Sequence, residues 1–115
     1  MSDSLQASHS QTEFDFAWKA LADPIRRALL ETLNDRQHFC HVNGQPVDGI
    51  CVQDLSALLA LPQSTVSRHL TILRQAGLVA HQQKGVWHYY SCQTDRIRSL
   101  LSWLDAFSAP RVTIE

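Results

Sequence analysis

Apolar residues take helical spacing from position 14 onward. Phe14, Ala17, Trp18 and Leu21 fall at i, i+3, i+4 and i+7, which gives a first helix one apolar stripe. The residues before them, 1–12, are polar and rich in Ser and Gln and read as a flexible tail. Asp23-Pro24, a side-chain acceptor followed by a residue with φ preset for a first turn, opens a second helix with the stripe Ile25, Leu29, Leu33, ending near Asn34. The pattern breaks over residues 35–50, where Asn43-Gly44 predicts a tight hairpin turn inside a connection long for so small a domain.

Helical spacing resumes from about Val52 to Leu61, with Leu55, Leu58 and Leu59 expected inward. Pro62 then starts a fourth helix that runs to about Gln75 and stops at Gly77. Its inner face carries Val66, Leu70 and Leu73. Its outer face carries Gln63, Ser64, Ser67, Arg68, Thr71 and Arg74, all with hydrogen-bonding side chains. LVAHQQ and VWHYYSC, rich in β-branched and aromatic residues, flank Lys84-Gly85 and predict a two-stranded hairpin with a basic tip. Ile97, Leu100, Leu101, Leu104 and Phe107 stripe a last helix that ends before Pro110. The predicted class is mainly α with a small β-hairpin (α+β), in the order α-α-(β/loop)-α-α-β-β-α. One domain over 13–108 lies between the tail 1–12 and a C-terminal tail 109–115.

Composition narrows the function. With 115 residues, 44% hydrophobic and 18% charged, the chain suits a single compact core. The formal net charge is −1, so no global basic field draws the chain to nucleic acid, and any such contact must come from a local patch. No run approaches the roughly 20 apolar residues of a membrane span, and MSDSLQASHSQTE lacks the apolar centre of a secretory signal. The expected location is the cytoplasm, without membrane contact. Three cysteines in such a chain point to thiols that are buried, reactive or metal-ligating rather than to a disulfide framework. No nucleophile, base and orienter set and no glycine-rich phosphate loop is present, so an enzyme is not expected.

Two short helices joined at Leu61-Pro62, the second polar outside, have the layout in which a recognition helix enters the DNA major groove. Arg bridges guanine acceptors, Gln pairs with adenine, Ser and Thr reach base edges or phosphates, and Lys84 reaches the backbone or minor groove. Spacing alone leaves a second reading open, a solvated polar face.

LADPIRRALLETL, PQSTVSRHLTILRQAGLV and HQQKGVWHYYS, covering most of residues 20–92 in this order, resemble the ArsR family of bacterial winged-helix repressors. Ser64-Thr65-Val66-Ser67-Arg68-His69-Leu70, then Leu73-Arg74 and Ala76-Gly77-Leu78, match the family pattern nearly residue for residue, which adds Thr65 and His69 to the candidate DNA contacts. The resemblance implies a winged helix-turn-helix, a homodimer built on the first and last helices, a palindromic double-stranded operator, and repression relieved by an inducer. Aromatic residues on those helices agree with a dimer, and Phe14, Trp18, Leu100, Trp103, Leu104 and Phe107 are the expected interface. The other use of these aromatics is to cap the monomer core.

Members of the family hold metals or metalloids through a Cys-Val-Cys-Asp-Leu box at the start of the third helix. Here that stretch reads Cys51-Val52-Gln53-Asp54-Leu55, with one cysteine kept and Gln53 in place of the other. Cys51 occupies the apparent N-cap, and Asp54 stands where a capping-box acid would. Cys40, in His38-Phe39-Cys40-His41, is the candidate partner, since the Asn43-Gly44 hairpin would carry residues 40 and 51 together. Such a site would hold a thiophilic metal or metalloid ion as inducer, with His38 or His41 as third ligand, or form a reversible disulfide. The alternative is that both cysteines are small buried apolar residues and both histidines surface groups. Cys92 reads as structural, and the last helix, with Asp95 and Asp105 but no His, offers no zinc site. Two further functions stay open: a winged helix that binds a protein partner, and a DNA-binding regulator without thiol or metal sensing.

Overall fold

The computed structural model describes residues 2–35, 40–42, 44–108 and 110, with side chains described for 11–35, 44, 48–108 and 110. Helix α1 spans Ser2–Leu21, α2 Pro24–Asn34, α3 Val52–Leu59, α4 Gln63–Gln75 and α5 Thr94–Ser108. Strands β1 (Cys40–Val42) and β2 (Gln45–Val47) precede β3 (Ile50–Cys51), and β4 (Val79–Lys84) and β5 (Trp87–Cys92) form the later hairpin. The backbone of α1 runs back through the Ser- and Gln-rich segment that composition assigns to a tail. That segment has no apolar stripe from which a helix could be read.

Local chemistry sets the helix ends. The Asp23 carboxylate accepts from the backbone N–H groups of Ile25 (2.8 Å) and Arg26 (3.2 Å), and Pro24 occupies the first turn of α2. Helix α4 ends in a Schellman turn, with the Leu78 N–H on the Leu73 carbonyl (2.9 Å), the Gly77 N–H on the Arg74 carbonyl (3.0 Å), and Gly77 at φ +76°. Helix α3 ends the same way, with the Leu61 N–H on the Ser56 carbonyl (3.1 Å), but there Ala60 takes the left-handed position at φ 54°.

The core joins Ala17 and Ala20 of α1, Leu29 of α2, Leu55 of α3, and Val66, Leu70 and Leu73 of α4 to Leu78, Val79, Tyr89 and Leu100. Leu58, expected inward, is half exposed, because on a helix this short only Leu55, with Leu59 one turn on, faces α2 and α4. The small sheet has the order β3-β5-β4, antiparallel throughout. The hairpin pairs Val79 with Cys92 through to Lys84 with Trp87, leaving Gly85-Val86 as a two-residue turn with Gly85 at φ +63°. Strand β3 leaves no signature in the sequence, since two residues cannot display a period. It reaches the sheet through Gly49, at φ +143°, where an added Cβ would stand 2.9 Å from the Tyr90 carbonyl oxygen.

Candidate nucleic-acid interface

Helix α4 stands between the rest of the helices and solvent, and burial divides its sequence cleanly. Val66, Leu70 and Leu73 are fully buried, while Gln63, Ser64, Ser67, Arg68, Thr71 and Arg74 are exposed and Thr65 is partly covered. The turn before it is short and held from both sides. Ser56 Oγ donates to the Leu61 carbonyl, and the Val66 N–H closes the first helical bond on the Pro62 carbonyl at 3.1 Å. On the outer face Thr71 Oγ1 donates back to the Ser67 carbonyl (3.0 Å), which fixes its hydroxyl along the helix.

His69 does not belong with these contacts. It is 6% exposed, and its Nδ1 lies 3.2 Å from Arg26 Nη1, so its side chain faces α2 and α1 and away from any groove. The signal was present in the sequence: position 69 lies three after Val66 and one before Leu70, on the inner stripe.

Beside α4 the β4–β5 hairpin projects as a wing. Lys84, Val86 and Trp87 at its tip are exposed, and Gln83 Nε2 donates to the Gly85 carbonyl (3.0 Å) across the turn. Nearer the base, the rings of His81 and His88 stack with centroids 4.7 Å apart, and the Tyr90 ring lies 5.2 Å from that of His81. Burial holds the His81 imidazole below its ordinary pKa, and the positive charges of Arg74 and His88 act in the same direction. Arg74 thus connects the end of α4 electrostatically to the wing.

Charge distribution resolves the question raised by the net charge of −1. From Leu55 to Thr94 the sequence holds no Asp or Glu, yet carries Arg68, Arg74 and Lys84. The acidic excess therefore lies outside α4 and the wing, and the two elements share a local positive surface. This acid-free stretch was legible in the sequence and is a stronger signal than the overall balance.

The helix, turn, helix and wing now stand in order, and the chain's likenesses agree with them. Residues 50–81 match the family described as "Bacterial regulatory protein, arsR family". A helix-turn-helix transcriptional regulator of Methanocaldococcus jannaschii is 33% identical over 88 residues, covering 76% of this chain and 86% of that protein. The chain belongs to the ArsR family. The arsenical resistance operon repressor of Bacillus subtilis is another relative, 32% identical over 90 residues and covering 78% of this chain and 75% of its own length. Among solved structures, a Mycobacterium bovis domain described as a homodimeric winged helix-turn-helix DNA-binding domain superposes with a TM-score of 0.67. It is 18% identical and covers 90% of this chain and 84% of its own. These are regulators rather than enzymes, and the fold shared with them is the winged helix-turn-helix. Among the described residues no helix is long and apolar enough to cross a membrane.

The other predicted residues separate into two groups. On the α1/α5 side, Trp18 and Trp103 lie with ring centroids 5.6 Å apart, and Trp103 and Phe107 with centroids 4.7 Å apart. Trp103, Leu104 and Phe107 are exposed, at 53%, 46% and 72%, while Phe14 and Trp18 are partly buried. Leu100, expected with them, is 4% exposed and packs in the core, because it is the α5 position turned toward the other helices. Next to these aromatics a cleft of about 490 Å³ opens between α1, α2 and α5, lined by Trp18, Leu21, Leu30, Ile97 and Leu101 among others. Cys92 lies on its wall, with Sγ 3.7 Å from the Leu30 carbonyl oxygen.

The cysteine constellation is only partly placed. Cys51 is the residue before α3, as expected, but it makes no side-chain cap and is 7% exposed, with its backbone paired to Tyr89. Strands β1 and β2 pair as an antiparallel hairpin, whose register sets Cys40 opposite Val47 and His41 opposite Pro46, in a sheet separate from that of Cys51; Asn43 of the expected turn lies outside the described residues. His38 and the side chains of Cys40 and His41 lie outside the described residues. Among the described residues no three His, Cys, Asp or Glu side chains gather as a metal site requires.

Proposed function

We propose that this ArsR-family protein is a transcriptional repressor that grips a palindromic operator as a homodimer in the cytoplasm. Helix α4 reads bases and the wing holds the backbone. The observation that carries the reading is the outer face of α4, six exposed hydrogen-bonding side chains on a buried inner stripe, set in a 40-residue stretch free of carboxylates. Arg68, near the middle of that face, is the base reader, and Arg74 and Lys84 are backbone contacts. Dimerisation rests on Trp103, Leu104 and Phe107, an apolar patch on α5 that continues into Trp18 of α1. The M. bovis homodimer lends support through a shared fold.

Release by a thiol-reactive metalloid, a soft metal or an oxidant acting on Cys51, with Cys40 as partner, completes the proposal. Its support is the retained cysteine at the head of α3, immediately before the helix-turn-helix, and the arsenical-resistance relative. Footprinting on the DNA upstream of the protein's own coding sequence should show a protected, two-fold symmetric segment. Arsenite or a mild oxidant should abolish that protection for the wild type but not for Cys51→Ser. Equal release of both proteins would remove Cys51 from the sensing role, and absence of any footprint would remove the repressor reading itself.

A further inference from the structure

Besides their direct packing in the core, α4 and α1 are bridged by one side chain of α2. The Arg26 guanidinium, projecting from the first turn of α2, donates from Nε to the Ala20 carbonyl (2.7 Å) and from Nη2 to the Lys19 carbonyl (3.2 Å). Its remaining fork nitrogen, Nη1, lies 3.2 Å from Nδ1 of His69. Arginine has donors and no acceptor, so Nδ1 must be the accepting nitrogen, and a neutral His69 carries its proton on Nε2. Two carbonyls in the last turn of α1, of which Lys19 also accepts from the Ala22 N–H (3.1 Å), and one buried ring of α4 thus meet a single planar cation.

The bracket is itself held in place. Desolvation acts to raise the Asp23 pKa, but the backbone N–H groups of Arg26 and Ile25 and the charge of Arg26 outweigh it and hold the carboxyl below its usual value. Asp23 therefore stays an anion and orients the turn from which Arg26 springs. His69 directly follows Arg68 in the same helical turn, the first buried and the second exposed. Any tilt or slide of α4 that loosens the Arg26–His69 contact also moves Arg68 relative to a groove. A displacement of α1, whose face continues into the apolar α5 patch, reaches α4 by the same side chain.

Resting on the repressor reading above, we propose that Arg26 is a positioning residue for DNA recognition: it fixes the attitude of α4 against α1 and couples the α1/α5 face to base reading. Arg26 touches no DNA in this role. Its loss leaves the positive charges of α4 and the wing in place while freeing the helix that aims them, so discrimination suffers more than general DNA affinity.

The test compares wild type, Arg26→Gln and Arg26→Lys, with His69→Gln alone and combined with Arg26→Gln. Each folded protein is measured for amide exchange on its own, for binding to upstream DNA, and for binding to scrambled duplex at low salt. Amides of α4 should exchange at least tenfold faster in Arg26→Gln. Operator affinity should fall tenfold or more while scrambled-duplex affinity changes less than about threefold. The double variant should be no worse than the worse single one, since both break one contact. Arg26→Lys, lacking the fork, should fall between, and it serves as the test variant if Arg26→Gln does not fold. Unchanged α4 exchange, an equal loss on both DNAs, or additive single variants would overturn the proposal. If the wild type fails to prefer upstream DNA, the repressor reading fails, while exchange in the free protein still reports whether the bracket holds α4.

Discussion

Ala60 occupies a position that favours glycine. At φ 54° it closes the turn between the two helices of the DNA-reading unit, where a Cβ crowds the following backbone. Ala60→Gly relieves that crowding but loosens the unfolded chain, and the first effect is larger for a left-handed residue. The expected result is a gain of about 0.5–1 kcal/mol, read as a higher midpoint in denaturant with unchanged slope; a loss would mean the turn is not held in this conformation. A second residue-scale prediction concerns His81. Because its folded pKa is lowered, the unfolded chain binds a proton there more readily than the folded one, so its contribution to stability is complete above the ordinary value of 6.5 and is lost as pH falls through the lowered one. Thermal midpoints measured between about pH 5 and 7.5 should fall on acidification. His81→Gln should flatten that dependence, and an identical pH profile would contradict the assignment.

At the scale of elements, α4 and the wing make separable contributions. Arg68→Ala should cost roughly 1–3 kcal/mol of discrimination between operator and scrambled DNA if it reads a base edge through two hydrogen bonds. Lys84→Ala should weaken both DNAs alike and reduce the salt slope by about one unit. Competition binding at two salt concentrations separates the two, and loss of discrimination in Lys84→Ala instead would move base reading onto the wing. The elements that sequence revealed are those governed by local rules: Asp23-Pro24 at the start of α2, the apolar stripe of α4 with Gly77 at its end, and the two hairpins, the later of which turns at Gly85-Val86, one residue beyond the expected Lys84-Gly85. What escaped depends on distant partners. Strand β3 exists because β5 offers a free edge to Ile50 and Cys51, and the Arg26 bracket exists because the fold brings residue 69 against residue 26. The inward place of His69 follows from the stripe of α4, whereas Leu100 shares its stripe with the exposed Leu101, Leu104 and Phe107, and only the packing of α5 tells it apart. The cysteine pair is still harder to read, since the 40–47 hairpin forms a sheet of its own and no local rule sets how it lies against Cys51.

For the whole molecule, the separation of surfaces is the organising feature. Charges without opposing acids gather on α4 and the wing, and apolar aromatic surface gathers on α5 beside Trp18. A monomer with this much exposed apolar area on one helix has reason to pair, and pairing doubles the phosphate contacts available to one complex. Trp103→Glu places a charge in that patch. The variant should sediment as a monomer at micromolar concentration and lose most of its operator affinity while remaining folded; a dimeric Trp103→Glu would move the interface elsewhere. The central claim is that this positive, acid-free surface recognises a DNA sequence. It is tested most directly by fluorescence anisotropy of the protein on duplex DNA from upstream of its own coding sequence against a scrambled duplex, at rising salt. The account predicts tighter binding to the upstream DNA by a factor of about a thousand or more, with affinity for both falling steeply as salt increases. Equal affinity for the two duplexes, or binding that ignores salt, would contradict it.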